Sequence, residues 1–91
     1  MRFPRRYDAT ITRGDFLRLL PEATGQNDFI ERDGGFHGAG WCIRFSPISP
    51  LEIGMVRLER HRVEVHFEGL SAEAEEAFMR RFTLAYQRGG G

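Results

Sequence analysis

The chain has 91 residues, of which 41% are hydrophobic and 29% are charged, and its 13 basic and 13 acidic residues leave no formal net charge. This is the length and composition of one small globular domain, without room for a separate cofactor-binding domain. The charge balance disfavours nucleic-acid binding and membrane-surface roles, because proteins with those roles usually carry a basic excess.

The N-terminal part of the chain predicts a strand followed by a short helix. Residues 7–12 alternate apolar and polar side chains, which is the pattern of a half-buried strand. Thr12 is a suitable helix N-cap, with the carboxylate of Asp15 three positions later. The apolar stripe that follows is helical and ends at Gly25, and Pro21 predicts that the helix is short. We expect residues 1–6, before this strand, to be disordered.

The middle of the chain predicts two strands separated by flexible backbone. Residues 28–33 predict a short strand and residues 41–45 a second one. The stretch 34–40 contains several glycines, which would be costly in regular structure, so we expect a mobile hairpin loop. Residues 46–50 (SPISP) predict a stiff connection that crosses an edge of the sheet.

The next segment carries an irregular apolar pattern. Within residues 51–58 the apolar side chains change parity beside Gly54, which is the pattern of a β-bulge or a sharp bend. Residues 59–62 (ERHR) predict a turn to the last strand. Residues 62–68 then alternate strictly, with Val63, Val65 and Phe67 on one face, so one side of the sheet is buried and the other is wet.

The C-terminal part predicts the longest helix. Ser71 is a good N-cap, and acidic residues in the first turns suit the positive end of the helix dipole. An apolar stripe continues to Tyr86. We expect residues 89–91, three glycines, to end the helix and to be disordered.

These elements predict a single α+β domain over residues 1–91, in the order β-α-β-β-β-β-α. A bent antiparallel sheet with one face exposed to water and both helices packed on the other buries the apolar faces of all these elements. The predicted architecture is therefore a two-layer sandwich. Over residues 7–88 this order resembles the TATA-box-binding-protein-like and helix-grip arrangements. The resemblance implies a long C-terminal helix lying across a curved sheet, and it implies no function.

Residue types exclude several chemistries. All basic residues are arginine, as is typical of a GC-rich genome, so no lysine nucleophile or Schiff base is possible. The single cysteine, Cys42, excludes an intramolecular disulfide and a multi-cysteine zinc site. No pair of histidines has metal-ligand spacing, and we expect no cofactor and no metal. His37 and Asp33 are the one pair that an enzyme could use, and we expect none of these residues to be catalytic.

The remaining candidates concern binding. A groove between the sheet and the C-terminal helix, lined by Trp41, Phe45, Phe67 and Phe82, would suit a small apolar or anionic ligand. Nucleic acid could be contacted weakly by arginines of the N-terminus, by Arg57 and by the two arginines of the ERHR segment. The residues that we single out for ligand or partner binding are His37, Trp41, Arg57, Arg60, His61 and Arg62.

The function that the sequence favours is a small, non-enzymatic protein-interaction or binding module that could be homodimeric. Its expected partner is an unidentified protein or a second copy of the chain, with neither nucleic acid nor a membrane. No secretory signal or long apolar run is present in the sequence, and the expected location is the cytoplasm.

Overall fold

A computed structural model describes residues 3–89, which form a five-stranded antiparallel sheet covered on one face by two helices. The spatial order of the strands is β1-β5-β4-β3-β2. The predicted two-layer α+β class is therefore confirmed, and the resemblance stated above rests on element order alone. In chain order the elements are β1 (Arg6–Ala9), α1 (Arg13–Thr24), β2 (Ile30–Arg32), β3 (Gly35–Gly38), β4 (Trp41–Ile53), β5 (Val56–Phe67) and α2 (Ala72–Gly89).

The helix ends follow the predicted capping chemistry. The hydroxyl of Thr12 accepts a hydrogen bond from the backbone N–H of Asp15, and α1 ends at Gly25, which has φ +74°. Pro21 lies inside α1 without ending it. The hydroxyl of Ser71 accepts from the N–H of Ala74 and caps α2. The predicted disorder at residues 1, 2, 90 and 91 lies outside the described residues, whereas Arg6 belongs to β1 and Gly89 to α2.

The glycine-rich segment 34–40, predicted as a mobile loop, is largely a strand. Asp33 and Gly34 form a two-residue turn with φ +52° and +76°, the left-handed pair that a type I′ hairpin turn requires. β3 then pairs with β4 from Gly35 opposite Arg44 to Gly38 opposite Trp41. Glycine is needed at Gly38 because the indole ring of Trp41 occupies the space that a Cβ would take.

The last two sheet strands form one long hairpin, which differs from the predicted arrangement. The SPISP segment, predicted as a connection, lies inside β4, and the ERHR segment, predicted as a turn, lies inside β5. The hairpin turn is Gly54–Met55, with φ +60° at Gly54, as in a type II′ turn. The pairing shifts between Ile48 and Leu51, where β4 holds one more residue than β5.

The core lies between the sheet and both helices. Phe16 is its centre: its ring stacks on Phe45 and Tyr86, with centroid distances of 4.1 and 4.9 Å, and meets the edge of Phe82. The hydroxyl of Tyr86 donates to the backbone carbonyl of Phe16 at 2.9 Å, which ties α2 to α1. The other fully buried large side chains are Leu20, Phe36, Ile43 and Val63.

Candidate functional site

The outer part of the β4–β5 hairpin projects beyond the two-layer body. β3 pairs with β4 only as far as Arg44, and β1 pairs with β5 only as far as His61. Residues 48–60 therefore form a two-stranded ribbon, which we call the arm. The molecule measures 45 × 30 × 19 Å along its principal axes. An isolated two-stranded ribbon is marginally stable in water, so an exposed arm of this length suggests a role outside the domain's own core.

One face of the arm is apolar. Paired residues of an antiparallel hairpin point to the same side, and the structure pairs Leu51 with Leu58 and Ile53 with Val56. These side chains are 38–61% exposed, and Met55 at the turn is 103% exposed. The other exposed large apolar side chains of the described residues are isolated, at Ile30 and Leu84. Because they cluster, the arm residues form an exposed apolar patch, which makes the arm a candidate interaction surface.

The apolar face of the arm lies on the side of the sheet that carries no helix. In β5 the side chains of Val63 and Val65 point to the helices, so those of Val56 and Leu58 point to the opposite, open side. The one-residue bulge in β4 brings Leu51 and Ile53 to that same side. The two helices of the domain therefore do not cover the apolar face of the arm.

The helix-side face of the arm is charged. Glu52 and Arg57 are cross-strand partners, with Oε1 and Nε 3.9 Å apart, and Glu59 follows on the same face of β5. Arg57 therefore points away from Arg60 and Arg62, which lie on the open face. The three arginines singled out for binding are therefore divided between two faces.

Arg60 and Arg62 share a carboxylate on the open face. Arg62 donates to both oxygens of Asp8, at 2.9 and 3.4 Å, and Arg60 lies 3.8 Å from the same carboxylate. The hydrogen bond from Arg62 is the main reason that the pKa of Asp8 lies below its ordinary value. Arginines predominate on this face, since Arg6 and Arg62 are joined there by Arg32, Arg44 and Arg60.

His61 lies on the helix side, away from its arginine neighbours. It is 7% exposed, and its Nδ1 donates to the backbone carbonyl of Ile11 at 2.8 Å. Its ring stacks on Phe45, with centroids 4.1 Å apart. These contacts describe a structural histidine that joins the β1–α1 loop to the sheet.

Trp41 and His37 lie on opposite faces of the sheet. Trp41 is buried in the core, and its indole N–H donates to the side-chain oxygen of Gln26 at 3.0 Å. His37 lies on the open face, with Nε2 3.2 Å from the carbonyl of Arg32 and 4.0 Å from the sulfur of Cys42. The structure thus brings Arg60 and Arg62 together and separates the other predicted site residues from them.

Cys42 has a histidine on each neighbouring strand. The register pairs it with His37 on β3 and with His66 on β5, so the three side chains form a row on the open face. Burial raises the pKa of the Cys42 thiol, which disfavours the reactive thiolate. Between residues 3 and 89, no group of three or more His, Cys, Asp or Glu residues is placed to hold a metal ion.

The predicted groove beneath α2 is filled by its own lining. Trp41, Phe45 and Phe82 are buried in the core, and Phe67 packs partly buried against it. An open cavity of about 560 Å³ lies instead between β1 and the C-terminal half of α2. The side chains that line it are mostly apolar and include Phe3, Tyr7, Ile11, Phe16, Val63 and Tyr86.

Tyr7 is one of the residues that line this cavity. Burial raises the pKa of Tyr7 to about 12. The hydroxyl of Tyr86 is held by the carbonyl of Phe16. In the part of the chain that the structure describes, no corresponding hydrogen bond is made by the hydroxyl of Tyr7, so a ligand in the cavity could use it.

The parity change that predicted a bulge or a sharp bend is the sequence signal for the hairpin turn of the arm. The parity change beside Gly54 also arises at a two-residue hairpin turn, because the residues that pair across such a turn have opposite parity. Glycine at the first turn position supports that interpretation.

No helix within residues 3–89 is both long and apolar enough to cross a membrane. No protein-family model matches this chain, and no curated protein matches it.

Proposed function

We propose that this protein is a non-enzymatic interaction module that binds a protein partner, or a second copy of itself, through the arm. The observation that carries the proposal is the clustering of Leu51, Ile53, Met55, Val56 and Leu58 on a ribbon that the two helices of the domain do not cover. Fully burying an apolar side chain of this size contributes about 1.5–3 kcal/mol. Several such side chains together are enough to offset much of the cost of association, which is about 4–15 kcal/mol.

A triple substitution on the arm tests this function. Ile53→Thr, Val56→Thr and Leu58→Thr together remove apolar surface and keep a strand-compatible composition. The matched control is Leu84→Ala, which shortens an apolar side chain of similar exposure on α2. Light scattering at rising protein concentration measures self-association. In a second measurement, the wild type and the two variants are each immobilised as bait, and the proteins that each retains from source-cell extract are quantified.

The expected result is that the wild type and the Leu84→Ala variant self-associate or retain the same partner, and that the arm variant does neither. Circular dichroism should show that the arm variant remains folded, because the substituted side chains lie outside the core. The proposal fails if all three forms behave alike in both measurements.

A second candidate function is the binding of a small apolar molecule with a hydrogen-bond acceptor in the cavity beside Tyr7. It rests on the apolar lining and on the hydroxyl of Tyr7. Thermal unfolding in the presence of small aromatic carboxylic acids, esters and hydrocarbons tests it. Tyr7→Phe should weaken binding of the acceptor-containing compounds by up to about tenfold and leave hydrocarbon binding unchanged. The absence of any stabilisation by the panel would remove this candidate.

A further inference from the structure

We propose that the partner of the arm is a second copy of this chain, which pairs antiparallel with the free edge of β5 in a register centred on Leu58. The proposal rests on the proposed function and places the second copy at the edge of the arm, beside the apolar face described there. Three observations carry it: the backbone groups at the edge, the charges beside them and the blocked edge of β4.

The free edge of β5 offers backbone groups at alternate residues. Val65 donates its backbone N–H to the carbonyl of Arg5, on the β1 side of the strand. In an antiparallel sheet, the residues of one parity direct their N–H and C=O to one neighbour, and those of the other parity to the other neighbour. Arg57 and Glu59 therefore direct their backbone groups to the edge on which β1 lies. Because β1 pairs only as far as His61, no strand of the described chain occupies that part of the edge.

A register centred on Leu58 places the backbone N–H and C=O groups of Arg57 in one copy opposite those of Glu59 in the other. Arg57 of one copy then lies opposite Glu59 of the other, and the same pair recurs across the two-fold axis. Each of these pairs can exchange two backbone hydrogen bonds. Each also sets an arginine opposite a glutamate on the helix-side face, which is a favourable cross-strand pair. Shifting the centre to Arg57 or to Glu59 would instead set like charges opposite each other.

The apolar face supports the same register. The two-fold axis of such a pairing is perpendicular to the sheet, so both arms keep their apolar faces on the same side. The side chains of the two Leu58 residues meet as a non-hydrogen-bonded pair, the type in which side chains are closest. In the same register Val56 of each copy lies opposite Arg60 of the other, and the aliphatic stem of that arginine can pack on the valine.

The outer edge of β4 is unsuited to the same role. Pro47 and Pro50 lie in the part of β4 beyond its pairing with β3, and neither has a backbone N–H to donate. Proline on an edge strand is a common device against edge-to-edge association. The arm thus has one blocked edge and one open edge, and the open edge is complementary to itself. The chain's formal net charge of zero adds no long-range repulsion between two copies.

Charge reversal tests the register. Arg57→Glu should place four glutamates across the axis and raise the dissociation constant of the dimer at least about tenfold, and Glu59→Arg should do the same with arginines. The double variant Arg57→Glu, Glu59→Arg restores the pairs in reverse and should recover the dimer. Sedimentation at several protein concentrations measures the constants. The register is overturned if either single variant dimerises like the wild type, or if the double variant stays as weak as the single ones.

Cross-linking supplies a second measurement that does not depend on charge. In a Cys42→Ser background, Leu58→Cys should give a disulfide-linked dimer rapidly under mild oxidation, because the two thiols face each other across the axis. Ile53→Cys, on β4 in the same background, is the matched control and should cross-link slowly. Equal rates for the two variants would contradict the proposed pairing.

The outcomes separate this inference from the proposed function. If the wild type is monomeric at every concentration but the arm triple variant loses a different protein partner, the second-copy inference is wrong and the interaction function stands. If neither self-association nor arm-dependent binding occurs, both are wrong. An extended dimer with a longest dimension well above the 45 Å of one copy is the expected shape in X-ray scattering.

Discussion

The imidazole ring of His61 lies flat against the ring of Phe45, with the ring planes 12° apart. The same imidazole donates from Nδ1 to the carbonyl of Ile11, in the loop between β1 and α1. His61 thus joins the loop before the first helix to the longest hairpin. It is also the point on β5 where the two-layer body ends and the arm begins.

His61→Phe should keep the stacking on Phe45 and lose the hydrogen bond to Ile11. The carbonyl of Ile11 is partly buried, and leaving a buried acceptor without its donor costs about 1–3 kcal/mol, so we expect the free energy of unfolding to fall by up to that amount. Urea unfolding measures it. His66→Phe, an exposed position on the same strand, is the control and should change stability by no more than about 0.5 kcal/mol. Equal effects at both positions would show that the Ile11 contact contributes nothing.

Gly38→Ala should destabilise the fold because its methyl group would overlap the indole ring of Trp41. The tryptophan must move within a packed core, and overpacking of this kind costs about 1–3 kcal/mol. The control is Gly14→Ala in α1, where the nearest atom would be 4.0 Å away, at the hydroxyl of Thr12. That change should leave stability equal or raise it by up to about 1 kcal/mol.

The Gly38 experiment also reports on Trp41, which is the single tryptophan of the chain. Displacement of its ring from the core should shift the fluorescence emission of the folded Gly38→Ala variant to longer wavelength. Unchanged emission together with unchanged stability would contradict the close approach of β3 to Trp41.

The parts of the fold that sequence reasoning predicted are those where one local signal dominates. The cap at Thr12, the end of α1 at Gly25 and the cap at Ser71 each depend on residues a few positions apart. The strict alternation around Val63 likewise identified a strand with one buried face. These features require no knowledge of which segments meet in space.

The hairpins were harder to predict because their signals have two meanings. Gly54 beside a parity change is compatible with a bulge and with a turn, and only the pairing of β4 with β5 decides between them. Pro47 and Pro50 suggested a connection, yet an edge strand tolerates proline where its N–H would face solvent. The candidate site depends on the same pairing, because the face on which Arg57 or Leu58 lies follows from the register.

Asp8 should make stability depend on pH in the acid range. Its hydrogen bond from Arg62 lowers the pKa of Asp8 in the folded state below the ordinary value of about 3.9. A lowered pKa stabilises the fold above the unfolded-state value, and this contribution is lost as the pH falls through the folded-state value. The stability difference between the wild type and Asp8→Asn should therefore shrink as the pH falls below about 4.

Urea unfolding of both proteins between pH 7 and pH 2 measures this difference. Asp28→Asn, at an exposed carboxylate before β2, controls for the loss of one charge. A difference between the wild type and Asp8→Asn that stays constant throughout this range would show that Arg62 does not favour the ionised carboxylate.

The two tyrosines should make the protein sensitive to alkali. Burial raises the pKa of Tyr7 to about 12 and that of Tyr86 still further, in a chain with no other tyrosine. A group whose pKa is higher in the folded state contributes stability that is fully present below its unfolded value, about 10, and is lost as the pH rises through the folded value. Stability should therefore decline between pH 10 and pH 12.

Ultraviolet absorbance of tyrosinate, recorded together with circular dichroism, measures both events in one titration. We expect the absorbance change to coincide with unfolding, because neither phenol can ionise easily while it is packed against Phe16 and its neighbours. Tyr7→Phe removes one of the two groups and should make the decline between pH 10 and pH 12 less steep. A full absorbance change near pH 10 in protein that remains folded would show that both hydroxyls are open to water, and the cavity beside Tyr7 would then be wider than the structure shows.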